Sequence, residues 1–156
     1  MAARLNPLGT AVGPKLVKYL VSADKVLAGS TLSAATQELV KIRASQINGC
    51  GGCLDMHTKE ALHAGETPLR LNLVAAWRET TVFSDPERAA LELTEQGTRL
   101  ADGAGISDEV WANAAKHYDD EQLMALAALI ALINTFNRLN VITRQPGGGY
   151  LVGQHV

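Results

Sequence analysis

Cys50, Cys53 and His57 stand within eight residues of one another, in the run Ile47-Asn48-Gly49-Cys50-Gly51-Gly52-Cys53-Leu54-Asp55-Met56-His57, and the chain has no other cysteine. On an α-helix each residue turns the side chain by about 100°, so these three fall within roughly 60° of one another. Two thiols and an imidazole on one helical face suit disulfide redox chemistry or metal binding. For redox chemistry the thiolate is the reactive form, and a free thiol with a pKa near ~8.5 is mostly protonated at neutral pH. A helix N-terminus favours negative charge through its unpaired N–H groups. The Asn48-Gly49 break places Cys50 to Cys53 in such a first turn.

Ring closure between the thiols is feasible. Helical residues three apart have Cα atoms about 5 Å apart, within the roughly 4.4–6.8 Å that a disulfide spans. Their Cβ atoms, at about 5–6 Å, are slightly too far for it. Cys50 is therefore expected at the helix cap rather than inside the helix. Gly51-Gly52 would give the backbone freedom to adjust and leave the thiols uncovered for a substrate.

Activation of a thiol also wants a proton carrier and a carboxylate. His57 lies one turn past Cys53 and can take the first role. Two carboxylates compete for the second. Glu38 sits at the edge of the preceding helix's apolar stripe, in a column with Ile42 and Ser45, and a short break makes the two helices a hairpin that brings Glu38 toward Cys50 and His57. Glu60 lies on the margin of Cys53's own face. Arg43 falls on the apolar stripe between Leu39 and Ile47, which calls for a buried ion pair of structural purpose. His63 projects to the far side of its helix, and His117 and His155 have no chemical neighbours in sequence. A metal module of Cys50, Cys53, His57 and a carboxylate has ligand types that suit zinc. Three ligands on one straight helical face would crowd a tetrahedral site.

The elements that must position these groups read as helices throughout. Gly13-Pro14 opens one that Gly29 closes, and Ser33 caps a second that runs to Asn48-Gly49. The third starts near Cys50 and ends at Gly65. Thr67-Pro68 opens a fourth, continuing through Leu71, Val74 and Trp77 to about Thr80. Ser84-Asp85-Pro86-Glu87 is a capping box for a helix reaching Leu100, and Ser107 starts a shorter one. Asp119, with Gln122 three residues on, begins the longest, which ends near Ile142. That helix is apolar almost all round between Leu123 and Ile133, the mark of a central or interface position. Asn134, Asn137 and Asn140 in its later part read as polar glue between packed helices. Ile47-Asn48 and Ile133-Asn134 fall at comparable places late in their helices. Gln145-Pro146-Gly147-Gly148-Gly149 ends the pattern, leaving 145–156 as a flexible tail. The fold expected is all-α, a compact multi-helix domain spanning 1–156, without the strand context in which a Cys-x-x-Cys pair indicates thioredoxin.

At 156 residues, 47% hydrophobic and 19% charged with net charge −2, the chain can bury a core and gives no reason to expect nucleic acid or an acidic membrane as partner. Residues 1–20 show no apolar run with a cleavage pattern, and Leu123 to Ile133 is about half of a bilayer span. The expectation is a cytoplasmic protein with no membrane contact, where such a cysteine pair is catalytic or metal-binding rather than a structural staple.

Taken together, Glu38, the run Lys41-Ile42-Arg43-Ala44-Ser45-Gln46-Ile47-Asn48-Gly49-Cys50, then Cys53 and His57, strongly resembles the AhpD-like alkylhydroperoxidase branch of the carboxymuconolactone decarboxylase family. The close match covers about Ser33 to Phe83. The resemblance implies an all-helical protomer, a homo-oligomer (trimer or hexamer) and thiol-dependent reduction of a hydroperoxide, with no bound cofactor or metal. It implies Cys53 as the peroxidatic cysteine, Cys50 as its resolving partner, Glu38 and His57 as the proton relay, and a lipoylated protein or other dithiol as reductant. Members of that branch carry a second histidine just before the second cysteine, where this chain has Gly52. The lactone decarboxylation of the branch without cysteines is not expected here. Besides the metal module, a redox-sensing structural subunit without turnover remains as an alternative.

Overall fold

The computed structural model describes residues 2–154 and, among them, contains helices and no strand. A short 3-10 turn at Pro7–Gly9 precedes α1 (Gly13–Ala28), α2 (Ala34–Asn48), α3 (Gly51–His63), α4 (Pro68–Leu73), a second 3-10 turn (Val74–Glu79), α5 (Asp85–Thr98), α6 (Asp108–Ala114) and α7 (Asp120–Thr143). The all-α expectation holds, and the helix starts lie where the capping residues place them. The side chains of Ser33, Cys50, Thr67, Ser84, Ser107 and Asp119 each accept a hydrogen bond from a backbone N–H in the first turn of the helix they open. An oxygen cap of this kind is worth about 1 kcal/mol.

Helix α2 is the centre of the fold, packed against α3, α5 and α7. One side of it joins Val40 to Leu93, Leu126, Leu129 and Ile130. The other joins Leu39 and Ile42 to Ala61, Leu71, Trp77, Phe83 and Leu91. The misfit residue Arg43 has the expected ion pair. Its Nε and a terminal nitrogen both lie 2.7 Å from Glu95 Oε1, and Trp77 Nε1 donates to the same oxygen at 3.0 Å. Burial would raise the Glu95 carboxyl, but hydrogen bonds from Arg78, Trp77 and Arg43 outweigh it and hold it below the usual carboxylate range.

Helix α7 is long and apolar enough to cross a membrane, with mean hydropathy 1.5 over its best window, yet 44% of that window is buried inside the fold. Its asparagines do the binding expected of polar glue. Asn48 Nδ2 lies 2.9 Å from both Asn134 Oδ1 and Asn137 Oδ1, and Asn137 Nδ2 donates to Ser45 Oγ at 3.0 Å. The two Ile-Asn pairs noted in the sequence thus meet directly, Asn48 on Asn134.

Two expectations are corrected. The helix opened by Thr67-Pro68 does not run unbroken to Thr80. It tightens into the 3-10 turn after Leu73, with Ala76 at φ −119°, outside the helical region. Trp77 is the cause on the far side of that kink, drawn onto Glu95 and flanked by the guanidinium groups of Arg78 and Arg88 at 4.2 and 5.1 Å from its ring. The second correction concerns the tail. Residues 147–153 are not loose but lie along α3, held by Asp55, Lys59 and Glu60. His155 lies outside the described residues.

Candidate active site

The left-handed Gly49 (φ 66°) ends α2 and turns the chain so that Cys50, in extended conformation, becomes the N-cap of α3. Glycine takes that φ without the steric cost a Cβ brings, so the Asn48-Gly49 stop is what aims the cysteine pair. Cys50 Sγ accepts the Cys53 backbone N–H at 3.3 Å. The sulfurs are joined in a disulfide with a Cα–Cα distance of 5.4 Å, and Cys50 sits at the cap, as the spacing requires.

The hairpin places the carboxylate where it was expected. Glu38 Oε2 lies 2.9 Å from His57 Nδ1, and Glu38 Oε1 is 3.3 Å from Lys41 Nζ, which also pairs with Asp24. Burial would raise the Glu38 carboxyl. The hydrogen bond and charge of His57, with the charge of Lys41, outweigh that and hold it below its ordinary value. A carboxylate ionised at neutral pH fixes a proton on Nδ1 and leaves Nε2 of His57 for a second partner. His57 is itself buried, one turn beyond Cys53 on the same face of α3.

Glu60, the competing carboxylate, serves elsewhere. It accepts the Tyr150 hydroxyl and the Gly153 backbone N–H of the C-terminal segment, at the margin of Cys53's face. On the far face of α3 Asp55 Oδ2 accepts the backbone N–H groups of Gly148 (2.6 Å) and Tyr150 (2.9 Å), and Lys59 donates to the Tyr150 carbonyl at 2.9 Å. Gly147 rests directly on the Gly51–Gly52 peptide, so close that a Cβ there would collide with the Gly51 carbonyl. A Cβ at position 52 would meet the Gln145 and Pro146 carbonyl oxygens at 3.6 Å. The glycines between the cysteines therefore receive the C-terminal strap, not an open approach to the thiols. Cys50 and Cys53 are 1% and 2% exposed.

One polar contact with the sulfurs was missed from sequence. Asn140 Nδ2 reaches Cys53 Sγ at 3.3 Å from the last turns of α7. The only signal was its place in the Asn134, Asn137, Asn140 column, where the first two members have ordinary oxygen and nitrogen partners. Among the described residues no three His, Cys, Asp or Glu side chains converge on a cation-sized site. The thiols are spent on each other and His57 Nδ1 is spent on Glu38.

The model of the carboxymuconolactone decarboxylase family matches residues 14–96, from α1 through most of α5, and so contains the whole Glu38–Cys50–Cys53–His57 arrangement. The chain belongs to this family. Within it, the chain is 39% identical to the uncharacterized protein YdfG of Bacillus subtilis over 130 residues, covering 83% of this chain and 88% of that one. A crystal structure from Agrobacterium tumefaciens, of a protein of unknown function described as a putative antioxidant defence protein AhpD, superposes with TM-score 0.88 at 32% identity. That superposition covers 96% of this chain and all of the other, which makes this an AhpD-like member of the carboxymuconolactone decarboxylase family. The debrominase Bmp8 shares the fold at TM-score 0.78 and 18% identity, over 87% of this chain and 73% of its own.

Proposed function

We propose that the protein is a thiol-dependent peroxidase that reduces hydroperoxides through a Cys50–Cys53 disulfide cycle. The observation that carries this reading is a disulfide capping α3 beside a buried Glu38–His57 pair. In the reduced protein His57 accepts the Cys53 proton while Glu38 holds the ring by Nδ1. The Cys53 thiolate attacks one oxygen of the peroxide, the O–O bond breaks, and the leaving alkoxide or hydroxide takes a proton to depart as alcohol or water. Cys53 is left as a sulfenic acid. The Cys50 thiol, fixed at the cap by the Cys53 N–H, then displaces water from that sulfur and closes the disulfide. An external dithiol, a lipoylated protein being the class expected, restores both thiols and leaves as its own disulfide. The protein would work in the cytoplasm as a homo-oligomer.

A second reading is favoured by the burial of both sulfurs, which a turnover cysteine must escape, and by Gly52 in place of a second histidine. In it the same disulfide is a redox-sensing structural element without turnover. Thiol counting separates the two. Reduced protein given one equivalent of hydroperoxide should lose two thiols and consume one peroxide, and with excess dithiol it should consume many. Loss of the thiols only over hours, with no turnover under excess dithiol, would reject the peroxidase.

A further inference from the structure

We propose that Asn140 is a catalytic residue whose side-chain amide stabilises the thiolate of Cys53 and so sets which of the two thiols is the nucleophile. The two sulfurs have different donors. Cys50 Sγ receives the Cys53 backbone N–H at the cap of α3, the position that helix electrostatics alone would activate. Cys53 Sγ receives Asn140 Nδ2 at the same distance, 3.3 Å, from another helix.

The contact makes little sense as packing. Asn134 and Asn137, six and three residues earlier on α7, bond to Asn48, Ser45 and Thr98, all partners with good oxygen or nitrogen groups. A disulfide sulfur is a weak acceptor, so the Asn140 bond adds little to the oxidised fold. Once Cys53 is reduced and ionised the same donor makes a charge-assisted hydrogen bond, a far stronger interaction. The backbone that carries the donor is held in place: the Asn140 main-chain carbonyl accepts the Gln145 N–H at 2.8 Å, where α7 ends in the left-handed Arg144. The amide already stands at the sulfur in the disulfide form, so the donor is at hand when the thiolate forms.

The proposal takes its purpose from the peroxidase reading, but its test needs no peroxide. The rate of iodoacetamide alkylation is followed against pH in the full-length Cys50→Ser protein, with Asn140 retained or changed to Ala or to Asp. A hydrogen bond to a charged group corresponds to about one to two pKa units. Asn140→Ala should therefore raise the Cys53 midpoint by about one unit and slow alkylation at neutral pH roughly tenfold. Asn140→Asp, nearly isosteric but anionic, should raise the midpoint further. In the Cys53→Ser background neither substitution should move Cys50 by more than a few tenths of a unit. An unmoved Cys53 midpoint overturns the proposal, as do equal shifts at both cysteines, which would report general loosening. Loss of the fold in both variants also overturns it, making Asn140 a structural residue. A shifted midpoint in Cys50→Ser, with no peroxide turnover by the protein retaining both cysteines under excess dithiol, would reject the peroxidase and leave Asn140's role standing; turnover by that protein with no shift in Cys50→Ser would do the reverse.

Discussion

Helix α3 presents two faces that carry the same residue types to different ends. The inner face has Cys53 and His57, with Glu38 arriving from α2 and Asn140 from α7. The outer face has Asp55 and Lys59, with Glu60 at the margin between the two, and the segment 148–153 is laid across all three. The inner face and its margin each hold a carboxylate within reach of a hydrogen-bonding ring, Glu38 with imidazole and Glu60 with phenol. What distinguishes them is the partner's chemistry. An imidazole can pass a proton on near neutral pH. A phenol pushed up to about 12, by burial and then by its bond to Glu60, cannot. The inner pair is equipped for proton transfer and the pair at the margin for holding a strap. A carboxylate's role is thus read from what it touches and not from its distance in sequence to the cysteines.

The sharpest break of this contrast is removal of Cys53, the proposed nucleophile of the inner face. Cys53→Ser should reduce peroxide consumption to the uncatalysed background. Cys50→Ser should still form a sulfenic acid at Cys53, trappable by dimedone and open to over-oxidation. Faster trapping at Cys50 in Cys53→Ser would reverse the two roles.

Next in size are the carboxylates. General acid–base assistance is worth about 10²–10⁴-fold, so Glu38→Gln should slow the reaction of reduced protein with peroxide by that order. Glu60→Gln should change it by no more than a few-fold. Stopped-flow measurement of both variants decides the matter, and comparable losses in the two would erase the distinction between the faces.

The outer face can be loosened directly. In Tyr150→Phe the Glu60 contact is lost, and amide exchange at Gly148 and Tyr150 should quicken several-fold while exchange within α2 stays unchanged. Dithiothreitol should also reduce the disulfide faster in that variant, since Gly147 packs on the peptide between the cysteines. If the reduction rate is unaltered, the strap does not restrict access to the sulfurs.

The smallest expected effect is in pH dependence. The Glu38 carboxyl lies below its ordinary value of 4.5 in the folded protein, so its contribution to stability is complete above that pH and is lost as pH falls through the lower folded value. The melting-temperature difference between the parent and Glu38→Gln should therefore be constant near neutrality and shrink below about pH 4.5. A difference that widens on acidification would mean that the carboxyl is held protonated instead.

The inner face was largely legible in the sequence because its determinants are local. Ser33, Gly49 and the proline and glycine punctuation mark where α2 and α3 begin and end, and a short break between two helices leaves only a hairpin. Given the hairpin, Glu38 could reach the turn after Cys53, with Glu60 as its competitor, and the contact with His57 decides between them. The outer face was not legible, for a physical reason. Asp55, Lys59 and Glu60 hold the strap chiefly through its backbone N–H and carbonyl groups, which every residue carries, so Gly147-Gly148-Gly149 reads like any flexible glycine run. Asn140 was hidden by distance, since nothing at one helix end announces a sulfur supplied by another. The kink at Ala76 likewise comes from Trp77 reaching α5, a tertiary pull that overrides local helix preference.

The bond between Asn140 and Cys53 joins residues 87 positions apart, and it bears on how the protein is made. Translation at about 5–20 residues per second brings Asn140 out of the peptidyl-transferase centre roughly 4–17 s after Cys53. Throughout that interval α2 and α3 lack the asparagines of α7, the amide on the sulfur and the strap on Gly51–Gly52. A nascent chain therefore carries the cysteine pair without the burial that α7 and the strap provide. On the reading proposed above, redox selectivity arrives only at the end of synthesis.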